Sequence, residues 1–169
     1  GSTVHSFGQV PINATNMQQR GGKKGEDDID ELFERTQSMR WLLIDEIEAL
    51  AAVVLGIMHG NLCKVMGRSP YAKRKDGTQR PFGGLNVSLS GDWWQLPPVK
   101  KIGFYSNPFL SDLDYTEQLA MSFFWRLSQD SIQGTHELIQ SNRTSDIWLR
   151  EVLQQDREGK ESWEVYCFT

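Results

Sequence analysis

Two acidic strand ends carry the chemistry open to this chain. Asp45-Glu46 follows the apolar run Leu42-Leu43-Ile44, and Gly91-Asp92-Trp93-Trp94-Gln95-Leu96-Pro97-Pro98-Val99 follows a second run built on Leu85, Val87 and Leu89. An aspartate where a buried strand ends suits Mg²⁺, which takes oxygen ligands, and a glutamate beside it can orient or deprotonate an attacking water. Asp45 and Glu46 fit those two roles, the logic of a Walker B strand. Alone, an Asp-Glu pair reads first as the solvated, acid-rich start of a helix. The second run argues otherwise. Gln95 stands one turn beyond a Gly-Asp strand end, and Leu96-Pro97-Pro98 fixes the backbone that carries it, as a residue that senses a terminal phosphate requires. Ligands gather at the carboxyl ends of parallel strands, so the two acidic ends together read as a nucleotide hydrolysis site in a small α/β unit.

The elements that must position these residues follow from periodicity. Residues 27–36 carry Ile29, Leu32 and Phe33 at helical spacing behind a run of acids, which predicts a short amphipathic helix leading into the first strand. Residues 47–66 predict one continuing helix with Leu50, Val54, Ile57 and Met58 as its apolar stripe, and His59 as a structural residue within it. Residues 67–84 form a Pro-, Gly- and Lys-rich connector, and residues 85–90 the second buried strand. Residues 132–140 alternate enough for a strand, and residues 147–157, with Trp148, Val152, Leu149 and Leu153, predict a helix. Residues 9–25 read as a Gly- and Asn-rich loop. Within it Gly21-Gly22-Lys23-Lys24-Gly25 has the composition of a phosphate loop, but no strand precedes it and no Ser or Thr follows its lysine. Gly159-Lys160-Glu161 places a carboxylate where a Mg²⁺-binding hydroxyl is needed. Both are read as solvated. Trp93 and Trp94 have two readings, stacking on a nucleic-acid base or packing under the Pro97-Pro98 turn; the second is favoured, because adjacent residues of an extended segment point oppositely and one must face protein.

At 169 residues, with 38% hydrophobic and 24% charged residues, the chain can bury a core and is not disordered throughout. A net charge of −4 disfavours uniform attraction to a phosphate backbone, but Arg68, Lys73, Arg74, Lys75 and Arg80 form a local basic stretch and Lys100-Lys101 a second. The first reading of such a stretch is solvated surface, the second a DNA contact. Cys63 and Cys167 lack metal-ligand spacing and read as reduced thiols. No apolar run approaches the roughly 18 residues of a membrane span, so no membrane partner is expected.

Four ordered segments resemble the Pif-type helicases, the Pif/RecD-like branch of superfamily-one DNA helicases. Thr3-Val4-His5-Ser6 is similar to their Thr-Ile-His-Ser motif, Leu43-Ile44-Asp45-Glu46-Ile47 to motif II, and Phe82-Gly83-Gly84 through Val99 to motif III with its lead-in. Glu137-Leu138-Ile139-Gln140-Ser141-Asn142-Arg143-Thr144-Ser145-Asp146, with Leu149, Leu153 and Arg157-Glu158-Gly159, resembles motif IV and its trailing helix. Departures are Glu48-Ala49-Leu50, where the family commonly has Ser-Met, and Thr144 in place of a glutamine. The phosphate loop ending in Gly-Lys-Ser/Thr is also missing. The resemblance implies an α/β, P-loop NTPase RecA-like parallel sheet, present as a partial motor domain without its phosphate loop. Residues 1–128 would be the C-terminal part of the first motor domain and residues 129–169 the opening of the second.

The resemblance further implies ATP and Mg²⁺ as cofactors, with Asp45 as metal ligand and Glu46 as the residue that activates water. Gln95 would couple the γ-phosphate to DNA, and Arg143 would reach that phosphate as an arginine finger. Thr3, His5 and Ser6 would contact single-stranded DNA, and Trp125 would pack in the core. The expected function is that of a fragment of an ATP-dependent helicase moving five-prime to three-prime. Its partners would be single-stranded and forked DNA and the rest of the helicase chain, inside the cell, in the nucleus or mitochondrion of a eukaryote. The competing reading is a degenerate motor remnant that binds DNA or assembles without catalysis.

Overall fold

The computed structural model describes residues 1–12, 23–109, 112–139, 144–160 and 162–167, apart from the side chains of residues 23–29, 68, 165 and 166. The chain divides into two compact units, Gly1–Gln133 and Gly134–Thr169. In the first, strands β1 (Trp41–Ile44) and β2 (Asn86–Leu89) pair in parallel, with Trp41 opposite Asn86 and Ile44 opposite Leu89. The second expected strand is thus shorter than residues 85–90. Leu42 and Ile44 are buried, while Trp41 is 61% and Leu43 78% exposed. Strand alternation puts those two pairs on opposite faces, so β1 is covered on one face and open on the other. The expectation of a run buried throughout holds for one face only.

A parallel pair needs a crossover, and α3 (Ala52–Val65) supplies it. Its residues from Ala52 to Met58, with Asn61, Leu62 and Val65, are buried, the pattern of a helix enclosed by its neighbours rather than laid on a surface. It packs against α1 (Val4–Phe7), α2 (Lys23–Thr36), α4 (Tyr115–Trp125) and the Pro81–Gly84 turn. The single helix expected over residues 47–66 is in fact interrupted. A 3₁₀ turn at Ile47–Ala49 gives way to extended backbone at Leu50 and Ala51. Ala51 bridges to Gly103, and the Ala52 N–H donates to the Ile102 carbonyl at 2.7 Å. Because Ile47 and Leu50 are as buried as the helix that follows, apolar spacing alone gave no sign of the break.

The Phe82-Gly83-Gly84 turn has φ of 50°, 64° and 88°, a run of left-handed residues that glycine accepts and phenylalanine resists. A Cβ on Gly84 would overlap the Tyr71 carbonyl, so the turn packs backbone against backbone. Phe82 is held in place by donating its N–H to His59 Nδ1 at 3.1 Å and by ring contacts with His59 and Phe123. The turn thereby delivers the chain into β2 from the side of α3.

Helix α4 starts with a capping box: Asp114 accepts from the Glu117 N–H at 2.8 Å and the Glu117 carboxylate from the Asp114 N–H at 3.1 Å. Ala120, Met121 and Phe123 fill the core, whereas Trp125, expected there, ends the helix 49% exposed and edge-on to Phe124. Helix α2 begins at Lys23, so Lys23-Lys24-Gly25 belongs to a helix and not to the expected loop. In the second unit, Asp146 caps α5 (Ile147–Glu158) and Gly159 ends it at φ 62°. Helix α6 (Trp163–Tyr166) follows. The strand expected over residues 132–140 is not formed among its described residues, 132–139. The Ile132 N–H is bonded to the Phe123 carbonyl, and Leu138 and Ile139 are almost wholly exposed, without the neighbouring ladder a strand requires.

Candidate functional site

The parallel register places Asp45 and Ser90 side by side, each one residue beyond its strand. The Ser90 N–H donates to the Ile44 carbonyl at 2.9 Å, and the Ile47 N–H donates to the Ser90 carbonyl at 3.1 Å, extending the ladder past the strand ends. The Ser90 hydroxyl donates to Asp45 Oδ1 at 2.7 Å. A carboxylate and a hydroxyl are therefore joined at the carboxyl end of the sheet, and both residues are exposed.

Glu46 occupies the left-handed region, with φ 53° and ψ 46°. For a residue with a Cβ this conformation costs about 1–2 kcal/mol, and such outliers persist where the surrounding structure enforces them. Here the enforcement comes from both sides. The parallel ladder holds Ile44, and the Ile47 N–H is bonded to Ser90. Glu46 is exposed directly after the Asp45 carboxylate.

Beyond Ser90 the chain turns through Asp92, whose carboxylate accepts from the Trp94 N–H at 3.1 Å and whose carbonyl accepts from the Gln95 N–H at 3.0 Å. This turn presents Gln95 to solvent. It is tied back to β1 by Glu48, a buried residue whose Oε2 accepts from the Asp92 N–H at 3.0 Å. Trp93 is half-exposed on the rings of Tyr105 and Phe124, with centroids 4.7 and 5.7 Å away, and Trp94 is 73% exposed. One tryptophan does face protein, but onto aromatic rings supplied from farther along the chain. The Tyr105 hydroxyl donates to the Glu48 carbonyl at 2.7 Å. Burial, with the nearby Glu48 carboxylate adding to it, raises the Tyr105 pKa above its ordinary value.

The arrangement can hold a metal ion in one particular way. Among the described residues no three His, Cys, Asp or Glu side chains cluster as a protein cage would need. Mg²⁺ delivered with a nucleotide needs no such cage, since it keeps waters and phosphate oxygens and takes only one or two carboxylates. Asp45 beside the Ser90 hydroxyl fits that donor set.

Thr3 caps α1, its Oγ1 accepting from the Ser6 N–H at 3.2 Å, while His5 and Ser6 lie on the helix itself. Asn61 of α3 donates to the Gly8 carbonyl at 2.8 Å and fixes the end of that segment. Arg143 lies outside the described residues. In the basic stretch, Arg74 is ion-paired with Asp130 and bonded to Thr78 and Gln79, and Arg80 bonds Tyr71 and Asn86. Those two guanidinium groups brace the fold, whereas Lys73 and Lys75 are exposed.

Three residues of the site escaped the sequence reading. Ser90 was recoverable from a parallel register of the two runs. Glu48 was noticed only as a departure, and nothing local marked Tyr105.

The sequence profile of the PIF1-like helicase family matches residues 1–156. The chain is similar to the ATP-dependent DNA helicase PIF1 of Candida albicans, at 30% identity over 119 residues, which is 68% of this chain and 11% of that protein. It is similar to the ATP-dependent DNA helicase RRM3 of Saccharomyces cerevisiae, at 32% identity over 111 residues, which is 60% of this chain and 12% of that protein. Among solved structures, the crystal structure of Pif1 helicase from Bacteroides in complex with ADP-AlF3 and ssDNA superposes with a TM-score of 0.62 at 23% identity, over 98% of this chain and 34% of that one. The chain thus spans about a tenth of the length of these curated relatives and a third of the solved one.

Proposed function

The chain belongs to the PIF1-like helicase family, and on that premise we propose that it is a segment of an ATP-dependent DNA helicase, the part that couples two strand ends of the motor to bound nucleotide. Its α/β fold with a parallel strand pair is that of the Pif1 motor. The observation that carries the reading is the strained Glu46 next to Asp45, at a strand end whose neighbour Ser90 is bonded to the same aspartate. A carboxylate held in an unfavourable backbone conformation at the mouth of a parallel sheet is what positioning of an attacking water calls for.

In this account Asp45 holds the Mg²⁺ that accompanies ATP, Glu46 orients and deprotonates water, and Gln95 reports the state of the γ-phosphate to the DNA-binding surface. Bound Mg²⁺ supplies positive charge that offsets the charge developing on the transferred phosphoryl group. Arg143 completes the site as an arginine finger, and Thr3, His5 and Ser6 contact the single strand. Residues 1–128 serve as the later part of the first motor domain and residues 129–169 as the start of the second, the phosphate loop coming from elsewhere in a longer helicase chain. The apolar side chains of Trp41 and Leu43 left open on β1 support that dependence on further chain. Motion runs five-prime to three-prime along single-stranded DNA, and forked DNA is the unwinding substrate. The nucleus or mitochondrion is the setting in a eukaryote.

The test is unwinding by the full-length protein of duplexes with a five-prime or a three-prime single-stranded tail. ATP-dependent unwinding of the five-prime-tailed substrate alone is expected. Unwinding only from a three-prime tail refutes the direction. Absence of ATPase with any DNA refutes the motor reading and favours the non-catalytic remnant.

A further inference from the structure

We infer that Glu48 is a positioning residue that locks the turn carrying Gln95 to the strand end carrying Asp45 and Glu46, so that the two halves of the nucleotide site move as one. This deepens the helicase reading and rests on it. Glu48 is 2% exposed, lies two residues beyond Glu46, and spends its carboxylate on the backbone N–H of Asp92 at 3.0 Å. A buried carboxyl group needs a compensating partner, and the half-buried Asp92 amide provides one. Each satisfies the other here.

Three neighbouring features are arranged around this contact. Gly91 precedes the bonded amide, and a Cβ there would overlap the Glu48 carboxylate and crowd Ile47, so the absence of a side chain is what lets the carboxylate reach the backbone. Asp92, once held, forms the turn by accepting from the N–H groups of Trp94 and Gln95. From the other side, the Tyr105 hydroxyl donates to the Glu48 carbonyl while its ring packs at a tilt against Trp93, so Glu48 is gripped through its backbone as well as its side chain. With the Ile47 N–H bonded to Ser90 and the Ser90 hydroxyl bonded to Asp45, residues 45–48 and 90–92 are joined by contacts that continue the ladder where the sheet itself has ended. A displacement of Gln95 is thereby passed through Asp92 and Glu48 to the backbone beside Glu46. Glu48 touches neither nucleotide nor DNA in this account and acts through those residues.

The experiment uses the full-length protein with two substitutions. Glu48→Met keeps the side-chain length and removes the acceptor, and Glu48→Gln keeps a carbonyl acceptor. Amide hydrogen exchange at Asp92 is measured together with ATPase in the absence and presence of single-stranded DNA. Glu48→Met is expected to speed Asp92 exchange by about tenfold or more and to lower the ratio of stimulated to basal turnover by about tenfold, with Glu48→Gln close to wild type in both. Unchanged Asp92 exchange in Glu48→Met, or equal proportional loss of basal and stimulated turnover, overturns the inference, the latter being what a purely structural role gives. The wild-type protein is decisive even if Glu48→Met fails to fold: an Asp92 amide that exchanges at the rate of an unprotected loop overturns the lock. A wild-type enzyme whose hydrolysis ignores DNA contradicts the helicase reading instead, and Asp92 exchange then decides the role of Glu48 alone.

Discussion

Glu46 joins a strained backbone to the role proposed for its carboxylate. Its left-handed backbone is strained for any side chain with a Cβ, so Glu46→Gly should leave the protein up to about 1 kcal/mol more stable, less whatever the freer unfolded chain takes back, while DNA-stimulated ATPase is lost. Thermal melts and turnover of the same preparation check both, and a glycine variant that melts several degrees lower would show the strain to be absent. Gln95 and Arg143 should separate in kinetics. Gln95→Ala is expected to reduce DNA stimulation more than the basal rate, and Arg143→Ala to lower the stimulated rate by up to about 10³-fold. Steady-state ATPase with and without single-stranded DNA reads the two together, with Lys160→Ala as a distant control. His59 has a different consequence. Burial lowers its pKa to about 4, against a smaller opposing effect of the Asp130 charge, and its Nδ1 accepts from Phe82, so the neutral ring carries its proton on Nε2. Because the unfolded chain takes up that proton near pH 6.5 and the folded chain does not, the stability His59 contributes is complete above pH 6.5 and falls away as pH drops toward 4, by up to about 3 kcal/mol. Denaturant melts between pH 7 and 4 should show this slope, and it should vanish in His59→Gln. A slope that survives the substitution assigns it to other groups.

At the level of elements, what could be read depended on whether a signal was local. The two strands were legible because an apolar run ending in an acid and a turn is a local pattern; β2 lies within the run that predicted it, and β1 starts at Trp41, one residue before its run. So were α5 and the amphipathic helix before β1, although the latter starts four residues earlier than residue 27 suggested. The break before α3 was not legible. It is imposed by Ile102 and Gly103, about fifty positions away, which offer a carbonyl and a bridge partner that compete with a helical turn. The strand expected near residues 132–140 failed for the converse reason, since alternation marks a segment able to pair and says nothing of whether a partner lies beside it. In the site, Asp45, Glu46 and Gln95 were visible by residue type, whereas Glu48 was visible only as an unusual residue, its function set by a backbone amide on the other strand end. Capping gives an element-scale check. Asp114→Ala removes one half of the reciprocal cap of α4 and should cost about 1 kcal/mol, lowering the melting temperature by a few degrees. An unchanged melting temperature would mean that packing against α3 alone fixes the start of α4.

For the molecule as a whole, each of the two units leaves large apolar side chains exposed: Trp41 and Leu43 on the open face of β1, and Ile147, Trp148 and Leu153 on α5. The catalytic side chains proposed here can place metal and water, but no Gly-Lys-Ser/Thr segment in this sequence can cradle phosphates, so the 169-residue chain on its own should not hydrolyse ATP at an appreciable rate. Turnover by the purified chain near ~1 s⁻¹, an ordinary enzymatic rate, would contradict that dependence. Whether the ends of β1 and β2 form the hydrolysis site of an ATP-driven, DNA-stimulated motor is decided by Glu46→Gln in the full-length protein. The substitution removes only the water-activating carboxylate and leaves Asp45 and its bond to Ser90. ATP affinity measured at equilibrium should then stay within about twofold of wild type while DNA-stimulated turnover falls by about 10²-fold or more. Wild-type turnover in the substituted protein, or a loss of ATP binding that accounts for the whole decline, would contradict the assignment of Glu46 and with it the reading of this strand end.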